Sequence, residues 1–127
     1  MDIPKELLYT EEHEWVKKED GKVTIGITAY ASEQLGGVTF VELPEQGAKA
    51  TAGEPLGSVE SVKAVSDIYA PADGEVSEVN SALEEQPEIM DTDPYGEAWI
   101  CKIAVSDSSA LDKLMDADAY AKFLETL

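Results

Sequence analysis

Glycine and proline cut the chain into short apolar runs, and that punctuation limits the folds open to it more than any other feature. Glu14 to Lys18 and Lys22 to Ile27 alternate in polarity on either side of Asp20-Gly21, a strong hairpin signal. Thr28 is placed to cap a short helix over Ala29 to Leu35, with Gly36 where a left-handed residue ends one. Val38 to Leu43 reads as a further strand closed by Pro44. Gly53 to Val59, Val62 to Tyr69 and Pro71 to Val79 follow, each bounded by Gly or Pro. Beyond the polar loop Asp91 to Gly96, one more strand is expected over Trp99 to Val105. The period then becomes helical through Leu111, Leu114, Met115, Tyr120, Phe123, Leu124 and Leu127. With Ser108 or Ser109 and Asp116 as candidate caps, one kinked helix or two short ones should pack on the sheets. A mainly β sandwich or flattened barrel with helical decoration follows, and 127 residues without an internal linker suit one domain over 1–127.

Charge narrows the function. All nine bases are lysines against 27 acids, giving a net charge of −18. A phosphate-binding surface needs clustered cations, and without arginine the usual reader of phosphate and guanine edges is missing, so nucleic acid is excluded. The same acidity predicts salt-sensitive encounters with basic partners. No export signal and no apolar run long enough for a bilayer is apparent, so a soluble intracellular protein is expected, without membrane association. The single cysteine, Cys101, lies in the alternating run Ala98 to Ile103 and reads as a buried structural thiol.

Catalytic chemistry is sparse. A histidine-assisted nucleophile would have to use His13, which sits between Glu12 and Glu14 at a strand start and reads as a hydrogen-bonding structural residue. One His with one Cys cannot supply a zinc site. Asp91, Asp93 and Glu97 lack the spacing and interior glycine of a calcium loop, and there is no glycine-rich phosphate cradle. No metal is expected, and a carrier or binding module fits better than an enzyme.

Within the informative stretch Gly57 to Pro71, position alone reads Lys63 as one solvated lysine among nine, with a carrier lysine as the alternative. Lys63 lies about midway between Gly53 and Gly74, inside two strand-forming runs, at the expected apex of a hairpin core spanning about 53–79. An exposed apex suits a lysine that must be reached by a modifying enzyme and must then swing an acyl group, and amide formation removes its charge.

Over nearly its whole length the chain resembles the glycine cleavage H-protein family. The matching words are Tyr9 to Val16, Thr24 to Thr28, Phe40 to Pro44, Glu60 to Asp67, Tyr69 to Pro71, Gly74 to Val76 and Asp93 to Gly96. The resemblance implies a lipoyl/biotinyl-domain-like fold of two small antiparallel sheets, short helices and a C-terminal helical segment over about 109–127. It implies lipoate in amide linkage to Lys63, with Glu60, Ser61, Val62, Ala64 and Asp67 as recognition context. It also implies a cleft that shelters the aminomethyl-loaded arm, with Glu14 and Asp67 as its acids and Ile27, Ala31 and Leu35 as its apolar wall. The implied partners are the pyridoxal-phosphate-dependent glycine decarboxylase, the tetrahydrofolate-dependent aminomethyltransferase, dihydrolipoyl dehydrogenase and lipoate-attaching enzymes. A non-catalytic monomer is expected in a bacterial cytoplasm, or in the mitochondrial matrix as a processed form. Gly37, Ala50, Asp91 and Ala98 depart from the usual family residues; none touches the lysine motif.

Rival readings share the fold. A 2-oxoacid dehydrogenase lipoyl domain usually has Asp before its lysine, and a biotin carrier usually has flanking methionines, where this chain has Val62 and Ala64. An H-like paralogue that relays lipoyl groups to other proteins is the nearest alternative.

Overall fold

Alternating side chains along β2 (Glu14–Glu19) and β3 (Lys22–Ile27) bury Val16, Val23 and Ile25, and the Asp20-Gly21 turn joins the two strands as an antiparallel hairpin. This hairpin anchors the larger of two sheets in the computed structural model, which describes residues 3–127. β1 (Leu8–Tyr9) flanks β2, while β9 (Cys101–Asp107), β8 (Asp73–Val79) and β5 (Lys49–Ala50) continue from β3, giving the order β1-β2-β3-β9-β8-β5. The second sheet has three strands in the order β4-β6-β7, formed by β4 (Val38–Glu42), β6 (Pro55–Ser61) and β7 (Val65–Tyr69). Every pairing is antiparallel. The expected mainly β sandwich of two sheets is therefore present.

The sheets close on a shared apolar core that includes Ile25, Ile27, Val41, Val59, Ile68, Val76 and Ile103. Fully burying a side chain of this kind stabilises by roughly 1.5–3 kcal/mol. The approach of β4 to β6 is tight at Gly57, where a Cβ would lie 2.2 Å from the Glu42 carbonyl oxygen. Only glycine fits between those backbones. A bulge between Pro55 and Gly57 accompanies the approach and aims the rest of β6 toward its hairpin turn.

Between the sheets, Thr28 caps α1 (Ala29–Leu35) through its Oγ1, which accepts from the Ala31 amide, and Gly36 ends it in the left-handed region at φ 70. Two short helices not evident in the sequence pattern, α2 (Ala82–Glu85) and α3 (Ile89–Thr92), plug the core with Leu83 and Met90. The tail resolves into two short elements, a 3-10 turn (Ser109–Lys113) and α4 (Ala117–Glu125) capped by Asp116. Tyr120 of α4 stacks on Tyr9 with ring centroids 4.6 Å apart, closing a second cluster with Leu7, Trp15 and Ala117. The last strand begins at Cys101 rather than Trp99, and the β6–β7 hairpin gives residues 62–64 to its turn, so β7 starts at Val65 rather than Val62. Ala50 and Ala98 are both fully buried, where their small side chains fit the core. No helix among the described residues is long and apolar enough to cross a membrane.

Candidate functional site

Lys63 stands at the tip of the β6–β7 hairpin and is exposed. The turn is held by one hydroxyl: Ser61 Oγ accepts from the Lys63 amide at 3.3 Å and from the Ala64 amide at 3.2 Å. The Ser61 amide donates to the Ala64 carbonyl at 2.8 Å, completing a two-residue loop of Val62 and Lys63. Such local side-chain bonds are why serine suits this position. The lysine stem lies back over Gly36 at the end of α1. The only ion pair among the described residues is Lys102 with Glu78, so the Lys63 amine is not committed to a carboxylate.

Strand alternation gives the hairpin two different faces. Val59, Ala64, Ser66 and Ile68 turn inward and, with Ile27, Ala31 and Leu35, line a cleft of about 180 Å3 beside the base of Lys63. The three apolar wall residues expected from the sequence are thus brought together. The two expected acids are not among its lining residues. Asp67 falls between Ser66 and Ile68, so its side chain points to the opposite face, where it borders a groove with Glu42 and Ser58. Glu14 is only 2% exposed; it pairs with Ile27 in register, and its Oε2 accepts from the Tyr69 amide at 2.6 Å while Oε1 accepts from Thr10 Oγ1. Burial pushes the Glu14 carboxyl up to about 8. A neutral acid locked to β7 is a structural clamp at neutral pH, not a free carboxylate.

The polar residues that line the cleft are Glu12, His13, Gln34 and Ser66, none of which sequence reasoning assigned to it. A signal was available for one of them, because His13 occupies the short, acid-flanked connection between β1 and β2. Its φ of 67 makes it the one non-glycine residue with a left-handed backbone among the described residues. Its Nδ1 lies 2.9 Å from the Tyr120 hydroxyl, which in turn shares a 2.8 Å hydrogen bond with Thr28 Oγ1. The expected hydrogen-bonding role of His13 is present, and burial lowers its pKa, so the ring is neutral at pH 7. Cys101 is fully buried, with its thiol pushed up to about 12 by desolvation, which removes it from thiolate chemistry.

An exposed, uncommitted amine beside an apolar cleft can be acylated, and a long acyl group on it can fold back into shelter. That arrangement suits carriage of a cofactor better than turnover of a free substrate.

Comparison with known proteins points the same way. The family model described as glycine cleavage H-protein matches residues 7–127. A glycine cleavage system H protein of Brevibacillus brevis is 55% identical over 120 residues, covering 94% of this chain and 95% of that protein. One from Listeria innocua is 51% identical over 125 residues, covering 98% and 100%. The crystal structure of a glycine cleavage system H protein from Mycobacterium marinum superposes with a TM-score of 0.90 at 41% identity, over 98% of this chain and 100% of that one.

Proposed function

The chain belongs to the glycine cleavage H-protein family, and from that premise we propose that it serves the glycine cleavage system as a lipoyl carrier, with lipoate in amide linkage to Lys63. The observation that carries this reading is the placement of an exposed, unpaired lysine on a serine-braced turn beside an apolar cleft. When bound, lipoate supplies a dithiolane that exchanges a one-carbon amine and two electrons with partner enzymes.

Everything else the chain does is positional. Val62 and Lys63 present the amine to a lipoate-attaching enzyme, with Glu60, Ser61, Ala64 and Asp67 as the surrounding recognition context. From the Lys63 backbone a lipoyl amide reaches about a dozen single bonds, or roughly 15 Å, enough to enter a partner's active site while the domain stays outside. Tethering of this kind replaces a free intermediate with a high local concentration. Ile27, Ala31 and Leu35 exclude water from what the lysine carries when it folds back, and Glu12 offers a carboxylate to a cationic amine there. Glu14 fixes β7 behind that wall. The partners are glycine decarboxylase, which loads the aminomethyl group, aminomethyltransferase, which passes its carbon to tetrahydrofolate, and dihydrolipoyl dehydrogenase. Catalysis belongs to them, and the carrier works beside them in the bacterial cytoplasm.

Intact mass spectrometry after incubation with lipoate and its ligase tests the proposal. One lipoyl increment is expected on the wild type and none on Lys63→Ala; an unmodified wild type, or a modified Lys63→Ala, refutes it. Once loaded, Glu12→Ala should lose the aminomethyl group faster than the wild type, and Asp67→Ala should not.

A further inference from the structure

The end of the six-stranded sheet remote from Lys63 carries a second recess. Lys18, near the end of β2, and Lys22, which opens β3, flank the Asp20-Gly21 turn and line an open cavity of about 320 Å3. Ser106, Ser108 and Leu111, from the end of β9 and the 3-10 turn, form its other side. The Val105 amide donates to the Gly21 carbonyl at 2.9 Å and joins the two sides. Ile27, which walls the cleft beside Lys63, lies at the other end of β3 from Lys22, roughly 17 Å along the strand.

The floor of this recess is apolar, with Val23 and Leu111 buried and Val105 half-buried. Its rim is polar and uncommitted. Among the described residues neither lysine forms an ion pair, and neither serine hydroxyl has a hydrogen-bond partner. Glu19 also lines the cavity; it is opposite Lys22 in register, and its Oε1 accepts from the Thr24 hydroxyl at 3.1 Å. Asp20 and Asp107 adjoin in sequence but do not line it, and Asp107 accepts from the Ser109 amide at 3.0 Å. Two lysines against one glutamate leave the lining with a charge of +1, in a chain whose net charge is −18.

We propose that this recess is a binding site for a small organic monocarboxylate with a short hydrocarbon stem. The carboxylate sits between Lys18 and Lys22 and accepts from the Ser106 and Ser108 hydroxyls, while the stem covers Val23, Val105 and Leu111. Charge-assisted hydrogen bonds of this kind are the stronger ones, and together they hold the head group at the rim. Three features select the ligand. The volume is at the lower end of the roughly 300–1,000 Å3 of small-molecule clefts, which suits a short acid better than a cofactor. A lining charge of +1 balances a monoanion, whereas a phosphate dianion would keep an excess negative charge beside Glu19 and leave the apolar floor wet. Lysine also lacks the planar fork that grips phosphate in bidentate fashion. The site is independent of Lys63 and of what that residue carries. A bound acid would tie the first hairpin to the 3-10 turn that leads into α4.

An amide NMR titration of the full chain with sodium hexanoate at constant ionic strength tests the proposal. Saturable shifts are expected at Gly21, Lys22, Ser106 and Ser108, with a Kd on the order of 1 mM for so small a ligand. Each buried methylene is worth about fourfold in affinity, so acetate should bind at least about tenfold more weakly than hexanoate. Lys18→Gln and Lys22→Gln should each weaken hexanoate about tenfold, the scale of a hydrogen bond to a charged group. Lys17→Gln makes the same charge change on the opposite face of β2 and should bind as the wild type does. Shifts that never saturate, or an equal loss in Lys17→Gln, overturn the site. So does inorganic phosphate binding as tightly as hexanoate, or a response confined to Ile27, Ala31 and Ile68 in the cleft beside Lys63.

Discussion

The Cα of Gly36 is the surface against which the stem of Lys63 rests: a Cβ built on it would lie 2.8 Å from Lys63 Cε and 3.0 Å from Nζ. Helix α1 therefore does more than wall the cleft, since its terminal glycine sets the direction in which the lysine leaves the hairpin.

Gly36→Ala and Gly37→Ala separate that role from backbone strain. Both residues have positive φ, 70 and 108, so alanine at either site should cost about 1 kcal/mol in stability. At Gly37 nothing lies within 4 Å of the added carbon, whereas at Gly36 it meets the flexible end of Lys63, which must move. Similar melting temperatures are expected for the two, with a shortened lifetime of the aminomethyl-loaded state in Gly36→Ala alone. Equal lifetimes would show that the seat is irrelevant.

Glu14 should make stability fall with rising pH. The unfolded carboxyl titrates near 4.5 and the folded one at about 8, so between those values the folded state holds a proton that the unfolded state has released. The contribution is full below about pH 4.5, declines at up to roughly 1.4 kcal/mol per pH unit, and levels off above about pH 8. Glu14→Gln keeps an acceptor for the Tyr69 amide and should remove this decline. Urea midpoints of both proteins from pH 5 to pH 8.5 are the measurement, and parallel curves would dismiss the idea.

Tyr120→Phe removes the hydroxyl that joins His13 to Thr28, leaving two buried or half-buried polar groups without it. A loss of about 1–3 kcal/mol is expected. The His13 pKa, followed by NMR, should change as the ring loses its fixed partner. An unchanged pKa and denaturation midpoint would mean the network holds neither residue.

Asp91 accepts with both oxygens, Oδ1 from Ser32 Oγ and Oδ2 from the Val38 amide, each at 3.0 Å. An asparagine side chain offers one acceptor and one donor in place of two acceptors. Asp91→Asn should therefore lower stability by about 1 kcal/mol, read from denaturant midpoints, by leaving one of these donors facing an amide nitrogen. A midpoint at or above that of the wild type would mean that Ser32 reorients to accept from the new donor.

What was legible in the sequence is what local chemistry dictates. Thr28 and Gly36 bound α1 as read, since capping uses bonds within one turn, and Asp20-Gly21 folds the first hairpin for the same reason. β1 and β5 were missed because two residues carry no alternation of their own; Leu8–Tyr9 and Lys49–Ala50 are strands only through the edges they join. The six-to-three division of strands is likewise set by packing between distant segments.

At the site, Lys63 and the wall of Ile27, Ala31 and Leu35 were within reach, whereas the acids were misplaced for two separate reasons. Asp67 is next to Ser66 in sequence but across the sheet from it in space, a consequence of strand geometry that applies once β7 is fixed. Glu14 is an acid in a position that reads as exposed, and only the tertiary bond to Tyr69 reveals that it is enclosed. Glu12, His13 and Gln34 reach the cleft by the folding of a short connection and of α1 against β7, which no single segment announces.

The two-sided hairpin around Lys63 also constrains how such a protein can change over time. Because neighbouring positions alternate between the cleft and the outer face, inserting or deleting one residue in β7 would exchange Ser66 and Ile68 with Val65 and Asp67, exposing the lining and turning Asp67 inward. Length variation tolerated in this segment should therefore come in pairs, an even-number rule imposed by pleating on a lineage that must keep both surfaces at once.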